Sequence, residues 1–391
     1  MIPFEEALRI VEQSAVSLGT ETVGFQETLQ RVLAEDVRSD GDMPPFDKSA
    51  MDGYACRRED LNHPLTVIEK VQAGDFPKKE IGPGECTKIM TGAPVPRGAD
   101  TVIMVEHTKI LSDGRVTYLK QASKANICYR AEDVRRGDTV LRKGTVIKPQ
   151  HIPVLASVGA TEVSVYKRPR LAVISTGNEL VEPWEKPGAS QIRNSNAWQL
   201  LAQAGQMGVP VRYLGLAKDT REETARLVDK AMQDADVVIL TGAVSMGDYD
   251  FVPEVLQEKG VEILFHGIHA KPGKRTLFGR TEKQWFVGLP GNPVSSFVQF
   301  EMLVKPLVYR IMGSRWLPDV LKLPLSEDFH RKNSSRKAFE PVVITEDSRV
   351  QKVDYHGSAH IHALSYASGL MVVERGISNL KKGELVDVRP I

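Results

Sequence analysis

The sequence of 391 residues predicts a multidomain α/β protein. A doubly wound α/β domain fills most of its second half. A mixed N-terminal region with a β-rich insert precedes that domain, and a small β region follows it. Three observations carry this reading. Between about 170 and 313, apolar strand runs alternate with helical patterns at the spacing of βαβ units. From 65 to 120 the runs are short, β-branched and bounded by Gly, Pro and Asp, as in small strands. Beyond about 315 the helical period stops and only short strand runs remain.

Residues 4–15 predict a helix, with Phe4, Ala7, Leu8, Val11 and Ala15 on one face and Pro3 at its start. A second helical pattern covers roughly 25–36. The runs LTVIEKV, TKIM, TVIMVEHTKI and RVTYL read as strands, with the Pro/Gly-rich loop TGAPVPRGAD between two of them. Residues 134–165 have a mixed pattern. In the α/β part, RLAVIS, VRYLGLA, DVVILTG, VEILFHGI and WFVGLP predict strands. NAWQLLAQAGQMG, DTREETARLVDKAMQDA, FVPEVLQEKG and the segment from NPVSS onward predict helices. VVIT, LMVVERG and ELVDVRPI complete the chain as short strands.

The charge balance narrows the function classes. The chain has 51 Lys and Arg against 50 Asp and Glu, a formal net charge of +1, which argues against a general nucleic-acid binder. The apolar runs are short and broken by Gly or Pro, so no membrane span is expected. The start, MIPFEEALRIVEQ, has early acids and no long apolar stretch, unlike a secretory signal. Cys56, Cys86 and Cys128 are far apart and form no CxxC pair, which points to a reducing, cytoplasmic setting.

Ligands of open α/β sheets bind beyond the carboxyl ends of the strands, so four loops draw the chemistry. In LPGNPVSS, Asn292 fits an N-cap and Pro293 the first turn, with Gly291 before them and Ser295 and Ser296 following. That is an ordinary capped helix or an oxyanion site. TGAVSMGDYD offers Gly242 and Gly247, the Ser245 hydroxyl, and two acids, Asp248 and Asp250. Either acid could cap the helix starting near Phe251; both together fit Mg²⁺, which takes one or two carboxylates beside phosphate oxygens. HAKPGKR gathers Lys271, Lys274 and Arg275, a solvated basic loop or a set of phosphate partners. STGNEL carries Glu179, and Asp219 stands at the start of a helix, where an acid complements the dipole. Together the loops fit a phosphate-bearing ligand with Mg²⁺.

One further stretch, FDKSAMDGYA (46–55), has no helical or strand period and little bulk for a core. Read with PPFDKSAMDGYA, IMTGAPVPRGAD, AEDV, STGNEL, VSMGDYD, KPGK, GLPGNPVSS and YHGSAH, in that order, it resembles the molybdopterin molybdenumtransferase family (MoeA-type, to which the gephyrin E domain is similar). The resemblance runs nearly end to end. It implies four parts: an N-terminal mixed domain (1–47 and 134–167), an inserted β-rich domain (48–133), a molybdopterin-binding α/β domain (168–314) and a C-terminal β-barrel (315–391). It also implies insertion of molybdate into adenylylated molybdopterin with Mg²⁺ and release of AMP, usually by a homodimer. The enzyme that adenylylates molybdopterin is an implied partner. By motif match, Asp52, Thr91, Asp133, Glu179, Asp219, Asp250, Lys271, Lys274 and Ser358 fall on family functional positions.

The chain also departs from the family pattern. Asn178 and Asn194 stand where acids are common, and Ala243 replaces the second glycine of a pair. Arg275 replaces a proline, and Cys128 an arginine. These changes bear on Mg²⁺ and molybdate handling. They keep two other readings in view: a molybdopterin-binding or scaffold protein on the same fold, and a molybdopterin adenylyltransferase.

Overall fold

Helix α1 (Phe4–Ser14) forms because Phe4, Ala7 and Val11 share one buried face, while Glu5 and Glu6 occupy its positive first turn. The structure, a computed structural model, describes residues 1–242, 251–354 and 357–391. The chain divides into two compact units, residues 35–143 with 149–161, and residues 1–34, 144–148 and 162–391.

The smaller unit is built on a four-stranded sheet. Strands β1 (Gly53–Cys56), β2 (Thr66–Val71), β3 (Glu85–Ile89) and β4 (Thr101–Met104) lie in the order β2-β3-β1-β4. β2 and β3 are parallel, and β1 runs antiparallel to both of its neighbours. The two-residue period of β1 fills two cores. Tyr54 and Cys56 pack with Leu65 and Ile103 on one side, and Ala55 packs with Ile89 and Val102 on the other. Gly53 starts this strand because a Cβ there would stand 1.9 Å from the carbonyl oxygen of Ile103. Cys56 and Cys86 face each other across β1 and β3 as free thiols, and burial pushes both up to about 12.

The larger unit carries a six-stranded sheet of β5 (Leu171–Thr176), β6 (Val211–Ala217), β7 (Val237–Gly242), β8 (Glu262–His266), β9 (Leu277–Arg280) and β10 (Trp285–Pro290). Its order is β6-β5-β7-β10-β9-β8. The first four strands are parallel, and β9 runs against both β10 and β8. The parallel strands are apolar at almost every position because both faces are covered. Leu171, Val173 and Ile239 face α1, α2 (Asn196–Gln206) and α5 (Pro293–Gln299). Ala172, Ile174 and Val238 face α3 (Arg221–Asp234) and α4 (Val252–Glu258). Helix α5 passes through a π-helical stretch, Phe300–Val304, into a last helical segment, Lys305–Ile311.

The C-terminal strands are β11 (Leu321–Pro324), β12 (Lys337–Ile344), β13 (Val350–Lys352), β14 (Gly369–Val373) and β15 (Leu385–Pro390). They pair in the order β13-β12-β14-β15-β11, and a bridge from Leu325 to Val350 joins the two ends. The sheet thus closes on itself as a small barrel around Leu325, Val342, Met371 and Val388.

Two sequence expectations are corrected here. Residues 25–36 are not a helix. A single 3-10 turn, Phe25–Glu27, is followed by Gln30 at φ 62°, a left-handed conformation that ends any helix. Val32 and Leu33 then bridge to Val146 and Val165, so burial between extended segments overrides the helical spacing. Strand β9 was also not expected, because Gly279 interrupts its apolar run. A Cβ at Gly279 would lie 2.8 Å from the Glu262 carbonyl oxygen, so the close pairing with β8 requires glycine. Among the described residues no helix is long and apolar enough to cross a membrane.

Candidate active site

Three parallel strands, β5, β7 and β10, end around a cavity of about 640 Å³ in the larger unit. Its wall includes Thr176, Glu179, Asn194, Asn196, Thr241, Gly242, Arg275, Gly291 and Asn292. This is the strand-end crevice that the sheet topology favours for ligands.

Glycines let the three strand ends approach. Gly242 has φ 126°, and a Cβ on it would meet the Thr176 carbonyl oxygen at 2.1 Å. Asn196, at the start of α2, ties the ends together: its Nδ2 donates to Thr241 Oγ1 at 2.9 Å and to the Gly291 carbonyl at 2.7 Å. Asn292 stands at the N-cap position of α5, as its sequence context suggests, yet its side chain does not cap. Its Nδ2 donates instead to Ser358 Oγ at 2.9 Å, and the Val294 N–H donates to the Ser358 carbonyl. Ser358 therefore anchors this corner, while Ser295 is buried within α5.

The carboxylates group partly as expected. Glu179 lines the cavity. Asp219 is joined to its loop by a reciprocal pair: the Asn178 N–H donates to Asp219 Oδ2 and the Asp219 N–H donates to Asn178 Oδ1, both at 3.1 Å. Asp219 is not the cap of α3; the Thr220 hydroxyl accepts from the Glu223 N–H at 3.3 Å and does that work. Asn178, a departure at sequence level, thus positions Asp219. Ser245, Gly247, Asp248 and Asp250 lie outside the described residues, as does Ala243. Among the described residues no three His, Cys, Asp or Glu side chains converge as a metal cage. Mg²⁺ does not need one, since it binds through one or two carboxylates with phosphate oxygens and water.

The basic residues separate. Lys271 lies 3.4 Å from Glu340, which is buried, and Lys274 is exposed. Arg275 and Arg193 instead line the cavity. A guanidinium presents a planar fork to a phosphate, which a proline at 275 could not. Arg193, Asn196 and Thr241 were missed by sequence reasoning; the polar run RNSN at a helix start hinted at the first two, and Thr241 opens the loop TGAVSMGDYD. Asn194 is buried at 1% exposure and fully used. Its Oδ1 accepts from the Ala197 N–H and the Ser175 hydroxyl, both at 3.3 Å, and its Nδ2 donates to the Tyr213 hydroxyl at 2.9 Å.

In the smaller unit, FDKSAMDGYA is a braced loop only as far as Asp52; contrary to the sequence expectation of no strand and little core bulk, Gly53 opens β1, and Tyr54 and Ala55 enter its two cores. The Ser49 hydroxyl donates to the Met51 carbonyl, the Ala50 N–H donates to the Asn126 carbonyl, and Asp47 accepts from the Arg130 N–H. Asp52 sits just before β1 and accepts from the Thr91 N–H at 2.7 Å and the Thr91 hydroxyl at 2.8 Å. The Thr91 N–H, then its hydroxyl, hold this exposed carboxyl below its ordinary value. Asp133 is exposed in the same unit, its N–H donating to the Met43 carbonyl. Cys128 is half-buried, and desolvation with the neighbouring Glu132 pushes its thiol up.

Comparison with known proteins places these features. Residues 2–159 match the MoeA N-terminal region (domain I and II), residues 172–310 a probable molybdopterin binding domain, and residues 322–391 the MoeA C-terminal region (domain IV). The molybdopterin molybdenumtransferase of Staphylococcus aureus is 35% identical over 398 residues, covering 99% of this chain and 95% of the relative. That of Staphylococcus epidermidis is 33% identical with the same coverage. The crystal structure of a molybdopterin biosynthesis MoeA protein from Pyrococcus horikoshii is similar over the full length of both chains, with a TM-score of 0.84 and 30% identity.

Proposed function

Because the chain belongs to the molybdopterin molybdenumtransferase family, a family of transferases in molybdenum cofactor biosynthesis, we propose that it inserts molybdate into adenylylated molybdopterin and releases AMP, with a requirement for Mg²⁺. The observation that carries this reading is the strand-end cavity, which sets Glu179 beside Arg193, Arg275 and Asn292. A pyrophosphate-bearing ligand needs such a mixed set: cations for its oxygens, and an acid that can share a divalent ion with them.

In this reading Arg193 and Arg275 hold the phosphate oxygens, with Lys271 and Lys274 adding positive charge nearby. Gly291, Asn292, Ser295 and Ser358 shape the binding corner, and Ser245 and Gly247 are assigned to the same ligand from the sequence of the loop TGAVSMGDYD. Glu179 and Asp219 would hold Mg²⁺, with Asp248 and Asp250 as the further carboxylates that the sequence offers. The ion, when bound, offsets charge on the phosphate oxygens as the phosphoanhydride opens. An oxygen nucleophile attacks phosphorus, the anhydride P–O bond breaks, and AMP leaves with that electron pair. By motif match we also assign catalytic roles to Asp52, whose charged form Thr91 favours, to Thr91 itself and to Asp133. Molybdate enters as the substrate: the two dithiolene sulfurs bond to molybdenum, and one of its oxides leaves with the two thiol protons as water, with no change of oxidation state.

We also propose a cytoplasmic homodimer that receives its substrate from a molybdopterin adenylyltransferase. Its four parts are residues 1–47 with 134–167, 48–133, 168–314 and 315–391. Purified protein given adenylylated molybdopterin should release AMP when molybdate and Mg²⁺ are both present. It should stop when the metal is chelated. Folded protein that releases none under these conditions is not this enzyme.

A further inference from the structure

Two tryptophans stand in the open beside the strand-end cavity. Trp184 exposes 72% of its surface and Trp198, in α2, 41%. Their rings meet edge to face, with centroids 5.9 Å apart and planes at 75°, so they form a right-angled corner. Trp198 also leans on Tyr213 at 5.9 Å. That third ring is fixed, since its hydroxyl donates to Glu182 Oε1 at 2.6 Å and accepts from Asn194.

The loop that carries Trp184 is held as well. The Glu182 N–H donates to Glu185 Oε2 at 2.8 Å, and the Glu185 N–H donates back to the Glu182 carbonyl at 3.0 Å. Arg193 Nε then donates to the Glu185 carbonyl at 3.2 Å. The corner and Pro183 border a shallow, open recess of about 500 Å³ whose remaining wall is Arg193, Asn194 and Ser195. The same three residues line the cavity of about 640 Å³. The apolar recess and the polar cavity therefore share one wall, and one ligand can occupy both.

Leaving two indoles wet beside a cavity is costly unless something covers them. A flat ring suits a right-angled corner: it stacks on one indole and turns its edge to the other. We propose that the corner of Trp184 and Trp198 is a stacking subsite for a flat, nitrogen-rich heteroaromatic ring of the substrate, with the charged part of that substrate in the adjoining cavity. The inference rests on the transferase reading above, whose substrate carries two such rings, an adenine and a pterin.

The test measures binding of two probes, AMP and 6-hydroxymethylpterin, to wild-type protein and to Trp184→Ala, Trp198→Ala and Trp184→Phe. Removing a stacking aromatic weakens base binding by about fivefold to a hundredfold. Each alanine variant should lose that much affinity for one probe, and that probe identifies the ring. Trp184→Phe, which keeps a flat face, should retain most of it. In turnover the alanine variants should show a raised KM for adenylylated molybdopterin. Equal binding of both probes by the wild type and both alanine variants overturns the subsite. So does a change of oligomeric state in Trp184→Ala with probe binding intact, which would assign the patch to a second copy of the chain. Failure of the wild type to bind either probe or adenylylated molybdopterin would defeat the transferase reading itself, and the two failures are thus distinguishable.

Discussion

Asp52 shows how a neighbour can favour the charged form of one side chain. Two donors from Thr91, one backbone and one hydroxyl, favour its charged form. Its folded-state value is therefore depressed. The linked contribution to stability is complete above the unfolded value of about 3.9 and disappears as the pH falls through the lower folded value. Thr91→Ala removes the hydroxyl donor and keeps the N–H. Carboxyl titration followed by NMR should show Asp52 protonating at higher pH in that variant, though still below an unperturbed aspartate. An unmoved titration would mean that the hydroxyl contributes nothing. Ala131 poses a different residue-scale question. It holds φ 59°, where a Cβ is strained. Ala131→Gly should raise stability by about 1 kcal/mol in denaturant titration; a loss of stability would show that other contacts hold Ala131 there.

The secondary-structure elements were legible in the sequence wherever one period ruled a long segment. The parallel strands and the helices between them read clearly because strands covered on both faces are continuously apolar and the helices keep a 3.6 period. Residues 25–36 misread because Val32 and Leu33 serve tertiary pairing, which a local pattern cannot reveal. Strand β9 stayed hidden because the glycine that lets it approach β8 also breaks its pattern. The site divides in the same way. Loops after strands announced Glu179, Asn292 and Arg275 by position. Asn196 did not stand out, since its work is to bond two strand ends far away in sequence. Asn196→Ala should leave the Gly291 carbonyl and the Thr241 hydroxyl short of a partner. We expect a loss of about 1–3 kcal/mol by denaturant titration, with weaker AMP binding because the cavity floor loosens. Unchanged stability and binding would show that the tie is dispensable.

For the whole molecule, the homodimer proposed above predicts twice the mass of the chain in sedimentation equilibrium. A monomer at micromolar concentration would contradict that. Three of the five departures from the family pattern have a defined place in the structure. Asn178 positions Asp219, Asn194 joins Ser175, Tyr213 and the start of α2, and Arg275 lines the cavity. Each has a defined place at or beside the strand-end cavity proposed above for an anionic ligand. The central claim is the transfer itself. The most direct measurement is a single-turnover reaction with adenylylated molybdopterin, Mg²⁺ and molybdate, in which AMP released and molybdenum bound to the pterin are counted together. The account predicts equal amounts of both with wild-type protein and neither with Asp52→Ala. Binding of the nucleotide with no AMP and no molybdenum transferred would contradict it, and would leave the chain a binding protein on a transferase fold.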